Sequence, residues 1–271
     1  MRAAVASNRR AWESEAMVRE FEREEDLQKP EKTILDLVRT DLWNMRMLDI
    51  GVGAGRTALH FADRVKEYVG IDYSTPMIDA CRKKFAGRGE GRMTFKVADA
   101  ADLGEFPDGT FDFILFSFNG LDYLDHDDRI RILREIKRTG KRGSLFAFSA
   151  HNLHSLERLL SFPPNPNPLK TLRRFLRSLR LLVLNGPPRR LLKKDWVVVN
   201  DGAYGFKFRC AYISPPAQVE QLTRLGFEDI RLFSLEHGGE IAPSDYAAVK
   251  DSWIYYLCRN GTSSRSSTLR I

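Results

Sequence analysis

Residues 48–57 read LDIGVGAGRT. A short apolar run, MRMLDI (45–50), delivers Gly51, Gly53 and Gly55, and a helical stretch follows. Glycines so placed permit a tight turn and let the backbone approach a ligand closely. A helix N-terminus behind such a turn favours an anionic group. Alone, the G-x-G-x-G pattern is open: it suits a nicotinamide dinucleotide, and it also occurs as a plain tight turn. Asp72 narrows the choice. It ends a second apolar run, EYVGID (67–72), 21 residues after Gly51. A carboxylate there can accept hydrogen bonds from both ribose hydroxyls of an adenosine.

Groups able to move a proton sit further along. Asn119, Asp122 and Tyr123 follow the run FDFILFS (111–117), and His151 and Asn152 follow GSLFAFSA (143–150). His151 has an intrinsic pKa suited to a general base; with Asp122 and Tyr123 it forms the candidate catalytic set. Two plainer readings stay open: a loop histidine bound to backbone, and an aspartate that caps a short helix. His126 lies in the acidic run LDHDD and reads as surface.

These residues need a scaffold that gathers them. Short apolar runs at 45–50, 67–72, 92–97, 111–117 and 143–150 alternate with helical stretches at 55–65, 74–85 and 129–139. Such alternation predicts right-handed βαβ units and a parallel sheet, with ligands at the carboxyl ends of the strands. Two charged or amphipathic helices are expected before it, over 8–27 and 31–43. Two strands, 228–235 and 253–259, are expected after a helix over 215–227 that Gly226 ends.

The set of segments, taken in order, resembles the class I S-adenosylmethionine-dependent methyltransferases. LDIGVGAG resembles that family's first motif, VGIDYS its acidic ribose-binding loop, and VADAADL (97–103) its adenine-binding loop. FDFILFSFNGLDYL resembles the fourth strand and its loop, and REIKRTGKRGSLFAFS the helix and fifth strand, with K-R-G where K-P-G is usual. The resemblance covers residues 40–150 and implies an α/β fold: a Rossmann-like, seven-stranded, mostly parallel sheet with helices on both faces, here with a helical and hairpin insertion after the fifth strand. It implies S-adenosylmethionine as cofactor. Asp49, Gly51 and Gly53 would lie along its methionine part, with Gly55 closing the loop. Asp72 would bind the ribose, Tyr73 and Met77 would pack on the adenine, and Asp99 and Ala100 would meet the adenine edge. Ser117 and Phe118 would flank the sulfonium. Charge and position suggest that Arg56 pairs with the methionine carboxylate. No metal is expected.

Composition is that of an ordinary globular chain: 271 residues, 43% hydrophobic and 29% charged. The three cysteines form no C-x-x-C pair, which argues against a disulfide framework or a zinc site. The N-terminus lacks the apolar core of a signal peptide, and no apolar stretch suits a membrane span, so a cytoplasmic location is expected. The net charge of +7 is concentrated. Residues 170–194 hold nine Lys and Arg and no Asp or Glu. Within them Leu172, Phe175, Leu176, Leu179 and Leu182 share one helical face, and Arg173, Arg177 and Arg180 another. Three uses compete for this basic amphipathic helix: a lid packed on the core, a site for an acidic or phosphorylated acceptor, and contact with a membrane surface or nucleic acid.

The expected organisation is N-terminal helices over 1–44, a cofactor-binding core over 45–152, an insertion and hairpin over 153–213 covering the crevice, the rest of the core sheet over 214–259, and a disordered tail over 260–271. The leading functional expectation is methyl transfer to oxygen or nitrogen of a small molecule. RNA methylation, a nicotinamide oxidoreductase and a non-catalytic cofactor-binding module are the alternatives. No Asn/Asp-Pro-Pro-aromatic element follows the fourth run, which makes nucleobase acceptors less expected.

Overall fold

The computed structural model describes residues 14–161 and 166–261. The start of the helix expected over 8–27, part of the PPNPNP segment and nearly all of the expected tail lie outside them. Helices Glu15–Arg23 and Lys29–Val38 precede the sheet. Its strands are β1 (Arg46–Ile50), β2 (Glu67–Asp72), β3 (Met93–Val97), β4 (Phe111–Phe116) and β5 (Gly140–His151). Strands β6 (Trp196–Val199) and β7 (Cys210–Ile213) form a separate hairpin. Strands β8 (Phe227–Ser234), β9 (Glu240–Ile241) and β10 (Trp253–Asn260) complete the sheet.

The order across the sheet is β3-β2-β1-β4-β5-β10-β8-β9. Strands β1 to β5 run parallel; β10 is antiparallel between β5 and β8. Eight strands replace the expected seven because the two-residue β9 adds an edge. The class is as expected: a Rossmann-like, mostly parallel sheet.

Alternation along the central strands explains why helices cover both faces. Leu48 and Ile50 of β1, Ile114 and Phe116 of β4, and Ile254 and Tyr256 of β10 join one core. Ile132, Leu133 and Ile136 of helix His126–Thr139 and Leu222 of helix Pro215–Arg224 complete it. Met47, Phe113, Leu115, Tyr255 and Leu257 join the other, with Ile34, Leu35 and Val38 of helix Lys29–Val38 and Ile78 and Cys81 of helix Thr75–Lys84. Strands buried on both sides must be apolar nearly throughout, which is how they read.

The chain leaves β1 toward β2 and β3, then returns to β4 and β5 on the other side of β1. Strand order therefore reverses between β1 and β4, and a crevice opens beyond their carboxyl ends. One element there departs from expectation. The helix expected over 55–65 shrinks to Ala58–Phe61 with a 3-10 turn at Ala62–Arg64. So short a helix offers little dipole to an anionic group.

The insertion departs further. Helix Pro168–Asn185 forms, capped by the Asn167 side chain on the amides of Leu169 and Lys170. Yet Leu172, Phe175, Leu176, Leu179 and Leu182 are exposed, and only Ser178 and Leu181 are buried. A lid packed by its leucine face is thus not what forms. The hairpin β6-β7 lies beside the end of β5, through Asn152 and Ile213. Its core with Leu153, Leu156 and Leu160 takes only Leu181 from the long helix.

Candidate active site

The crevice is a cavity lined from six places in the chain. Ile50, Gly51 and Gly53 come from the end of β1 and its turn; Ile71, Asp72, Tyr73, Ser74 and Met77 from the end of β2 and the next helix. Ala98, Asp99 and Ala100 follow β3. Phe116, Ser117, Phe118, Gly120, Tyr123 and Leu124 end β4, and Ile132 and Phe21 come from helices. Gly51 adopts φ +66°, a left-handed conformation that L side chains rarely take, and a Cβ there would stand 3.1 Å from the Phe116 ring.

Asp72 binds the glycine turn to β2. Its Oδ2 accepts from the Gly53 amide at 3.1 Å and its Oδ1 from the Ser74 amide at 2.9 Å. Burial raises its pKa despite those bonds. Each carboxylate oxygen keeps a further lone pair for a donor in the cavity. Asp99, exposed, accepts from the Ala101 amide at 2.9 Å.

Three residues expected at the cofactor do not line this cavity. Asp49 is buried behind the turn, where its carboxylate accepts from the hydroxyls of Thr57 and Tyr68. Burial pushes its pKa up to about 6. Gly55 is a packing glycine: a Cβ there would lie 2.7 Å from the Phe85 ring. Arg56 is engaged elsewhere. Its Nη1 and Nη2 donate to the Glu31 carboxylate at 2.5 and 2.7 Å, and its side chain is only 8% exposed. It also donates to the Asp26 carbonyl and the Ser117 hydroxyl, and its guanidinium lies 4.8 Å from the Phe118 ring centroid. A methionine carboxylate would have to displace Glu31.

The end of β4 is strained. Phe118 and Asn119 take φ +58° and +60°, conformations costly for non-glycine residues. They lead into a 3-10 turn, Gly120–Tyr123, that turns Asp122 inward. One Asp122 oxygen accepts from the backbone amide of His151 at 2.6 Å and lies 2.8 Å from its Nδ1. The other accepts from Arg129 Nη1 at 2.7 Å, an ion pair fully shielded from solvent. Arg129 in turn donates to the Gln218 side chain. With Nδ1 donating to Asp122, His151 Nε2 is left as an acceptor, 3.4 Å from Asn119 Nδ2. The buried Asn119 Oδ1 has no hydrogen-bond partner.

His151 is one layer behind the cavity. Its ring is 6.3 Å from that of Tyr123 and 5.9 Å from that of Trp253, and Trp253 meets Phe118. Tyr123 lines the cavity itself. Asp122 does not reach the cavity, because both its oxygens are held in the network. On the far side of His151, Cys210 and Tyr212 donate to Asp201. His151, Asp201 and Cys210 place ligand-type atoms within 4.8 Å of one another. Burial keeps the Cys210 thiol protonated.

Two parts of the site escaped the sequence reading. Phe21 belongs to a helix whose charged sequence marks no side for the crevice. Glu31 follows Gln28 in a capping box, a legible helix start, but nothing in that pattern names Arg56 as its partner.

A methyltransferase domain family matches residues 47–143, the stretch that builds this crevice. Residues 47–143 thus match a methyltransferase domain, and the fold around them is that of S-adenosylmethionine-dependent methyltransferases. The chain is 30% identical over 121 residues to the ubiquinone/menaquinone biosynthesis C-methyltransferase of Geobacter sulfurreducens, covering 43% of this chain and 47% of that one. It is 33% identical over 107 residues to ajmaline N-methyltransferase of Rauvolfia serpentina, covering 39% and 35%. It is 32% identical over 107 residues to magnesium-protoporphyrin O-methyltransferase of Rhodobacter capsulatus, covering 39% and 46%. The chain thus spans less than half the length of these relatives. The fold is shared over a longer stretch. An S-adenosylmethionine-dependent methyltransferase of Methanosarcina mazei superposes with TM-score 0.55 at 21% identity, over 84% of this chain and 98% of that one. The DhpI–SAH complex superposes with TM-score 0.57 at 16% identity, over 97% and 100%.

The cofactor that these similarities point to is S-adenosylmethionine rather than a nicotinamide dinucleotide. The residues present fit it. A half-buried carboxylate tied to the glycine turn, Asp72, faces the same cavity as Tyr73, Met77 and Asp99.

Proposed function

We propose that this protein transfers the methyl group of S-adenosylmethionine to an oxygen or nitrogen of a small, largely apolar acceptor. Bound in the crevice, the cofactor supplies an electrophilic methyl on a sulfonium, and the transfer is an in-line displacement governed by positioning. In this proposal Asp72 accepts from the ribose hydroxyls. Tyr73 and Met77 pack on the adenine, with Asp99 and Ala100 at its edge. Gly51 and Gly53 lie along the methionine part, and Ser117 and Phe118 stand near the sulfonium.

His151 is the proposed proton acceptor, reached by the acceptor past Tyr123. Asp122 acts through it: the carboxylate holds Nδ1–H and so leaves Nε2 as the basic nitrogen, which would exchange its Asn119 amide contact for the acceptor's proton. Arg129 holds the other Asp122 oxygen and so fixes the carboxylate's orientation. The observation that carries this reading is the buried Asp122–His151 pair one layer behind Tyr123, with Nδ1 on the carboxylate and Nε2 turned toward the Asn119 amide. A histidine so oriented suits an acceptor molecule that gives up an O–H or N–H proton. Among the described residues the cavity lining holds no Lys or Arg, so an acidic or phosphorylated acceptor is not proposed.

The test is formation of S-adenosylhomocysteine with a panel of phenols, alcohols and amines. His151→Gln should lower kcat by about 10²–10⁴, the usual worth of a general base, with the affinity for S-adenosylhomocysteine unchanged. Wild-type turnover in that variant would refute the role of His151. No turnover of any acceptor by the wild type would count against the proposed acceptor class.

A further inference from the structure

Helix Pro168–Asn185 presents its apolar side away from the protein. Leu169, Leu172, Leu176, Leu179 and Val183 recur every three or four residues and so share a face. They are 69%, 53%, 54%, 48% and 78% exposed. The helix holds to the protein by other sides. Ser178 and Leu181 are buried, the latter against Leu156, Val197 and Tyr212. Arg177 donates to the Asp201 carbonyl at 2.9 Å, and the Arg180 guanidinium stands 4.1 Å from the Phe206 ring centroid. Lys170 and Arg173, with Arg189, Arg190, Lys193 and Lys194 beyond the helix, are exposed.

We propose that this helix docks the protein on an anionic membrane surface, with its leucines among the acyl chains and the neighbouring cations against lipid phosphates. The inference stands apart from the acceptor assignment. An exposed aliphatic row beside cations is the composition that binds such an interface. Charge selects this occupant over others. A second copy would set cations against cations, because residues 170–194 contain no Asp or Glu. A nucleic acid would use the cations and leave the leucines in water. The helix lies on the bilayer: no described helix is long and apolar enough to cross one. The insertion also reaches the crevice, since Tyr204, between the hairpin strands, packs near Met17, Ala54 and Met77. Docking would therefore hold the catalytic cleft close to the lipid.

The test is flotation of the full chain with vesicles of phosphatidylcholine, alone or with about a third phosphatidylglycerol. Binding should be about tenfold greater on the anionic vesicles and should fall in high salt. The variant L172S/L176S/L179S/V183S should lose binding about tenfold or more, and K170E/R173E should lose most of the preference for anionic lipid. Both should keep their helical circular dichroism and their affinity for S-adenosylhomocysteine, because none of these side chains is buried. Absent vesicle binding, or binding unchanged in both variants, overturns the proposal. So does a dimer seen by light scattering that the leucine variant dissociates without any vesicle binding, or salt-sensitive RNA binding without vesicle binding.

Discussion

Asp49 belongs to the strand that feeds the glycine turn, yet its carboxylate looks away from the crevice into the core. There the Thr57 and Tyr68 hydroxyls only partly offset the loss of water, and burial holds its pKa at about 6, above the ordinary 3.8. The sign follows. A folded-state pKa above the unfolded value favours the folded state most when the group is protonated. That contribution is full below about pH 4 and is lost as pH rises through about 6. Asp49→Asn removes the titration. In urea unfolding, wild type should gain on the order of 2–3 kcal/mol relative to Asp49→Asn between pH 7 and pH 4, since each tenfold difference in proton affinity between the folded and unfolded chain is worth about 1.4 kcal/mol. Taking the difference cancels groups such as Glu31, whose pKa is lowered beside Arg56 and whose contribution runs the other way. Parallel pH profiles would show that Asp49 ionises normally. At this scale the sequence revealed residue types well and partners poorly. Asp72, Tyr73, Met77 and Asp99 face one cavity because strand ends place them there. Arg56 pairs with Glu31, which a helix docked from elsewhere in the chain brings in, and its place in the motif gives no sign of that partner.

The elements divide the same way. Strands β1, β2 and β4 were legible because burial on both faces demands continuous apolar runs. The long basic helix was legible as a helix, but amphipathic spacing states only that two faces differ, not which one meets the protein. The helix Lys29–Val38 shows what spacing cannot show: its Glu31 anchors it beside the crevice through Arg56, Ser117 and Tyr255. Breaking one side of a buried ion pair leaves a charge stranded, so Glu31→Gln should cost about 3–5 kcal/mol. The double change Glu31→Leu with Arg56→Met should cost distinctly less, because no charge is stranded. Denaturant unfolding of the three proteins checks this. A loss below about 1 kcal/mol in Glu31→Gln would mean that the pair is solvated or absent.

Over the whole molecule, the reversal of strand order between β1 and β4 brings the Gly51 turn, Asp72 and Ser117 to one crevice, although they are far apart in sequence. That gathering was foreseeable from the βαβ rhythm and the order of the motifs. The acceptor was not, since it depends on how residues 119–123, β5 and the hairpin meet around His151, and no motif encodes that meeting. The central claim is that the glycine turn and Asp72 grip one adenosine. Calorimetric titration of S-adenosylhomocysteine into wild type and Asp72→Ala tests it most directly. One-to-one binding by wild type, weakened about tenfold or more in Asp72→Ala by the loss of about 1.5–3 kcal/mol of charge-assisted hydrogen bonds, is the expected result. Absence of binding by wild type, or equal affinity in the two proteins, would contradict the account.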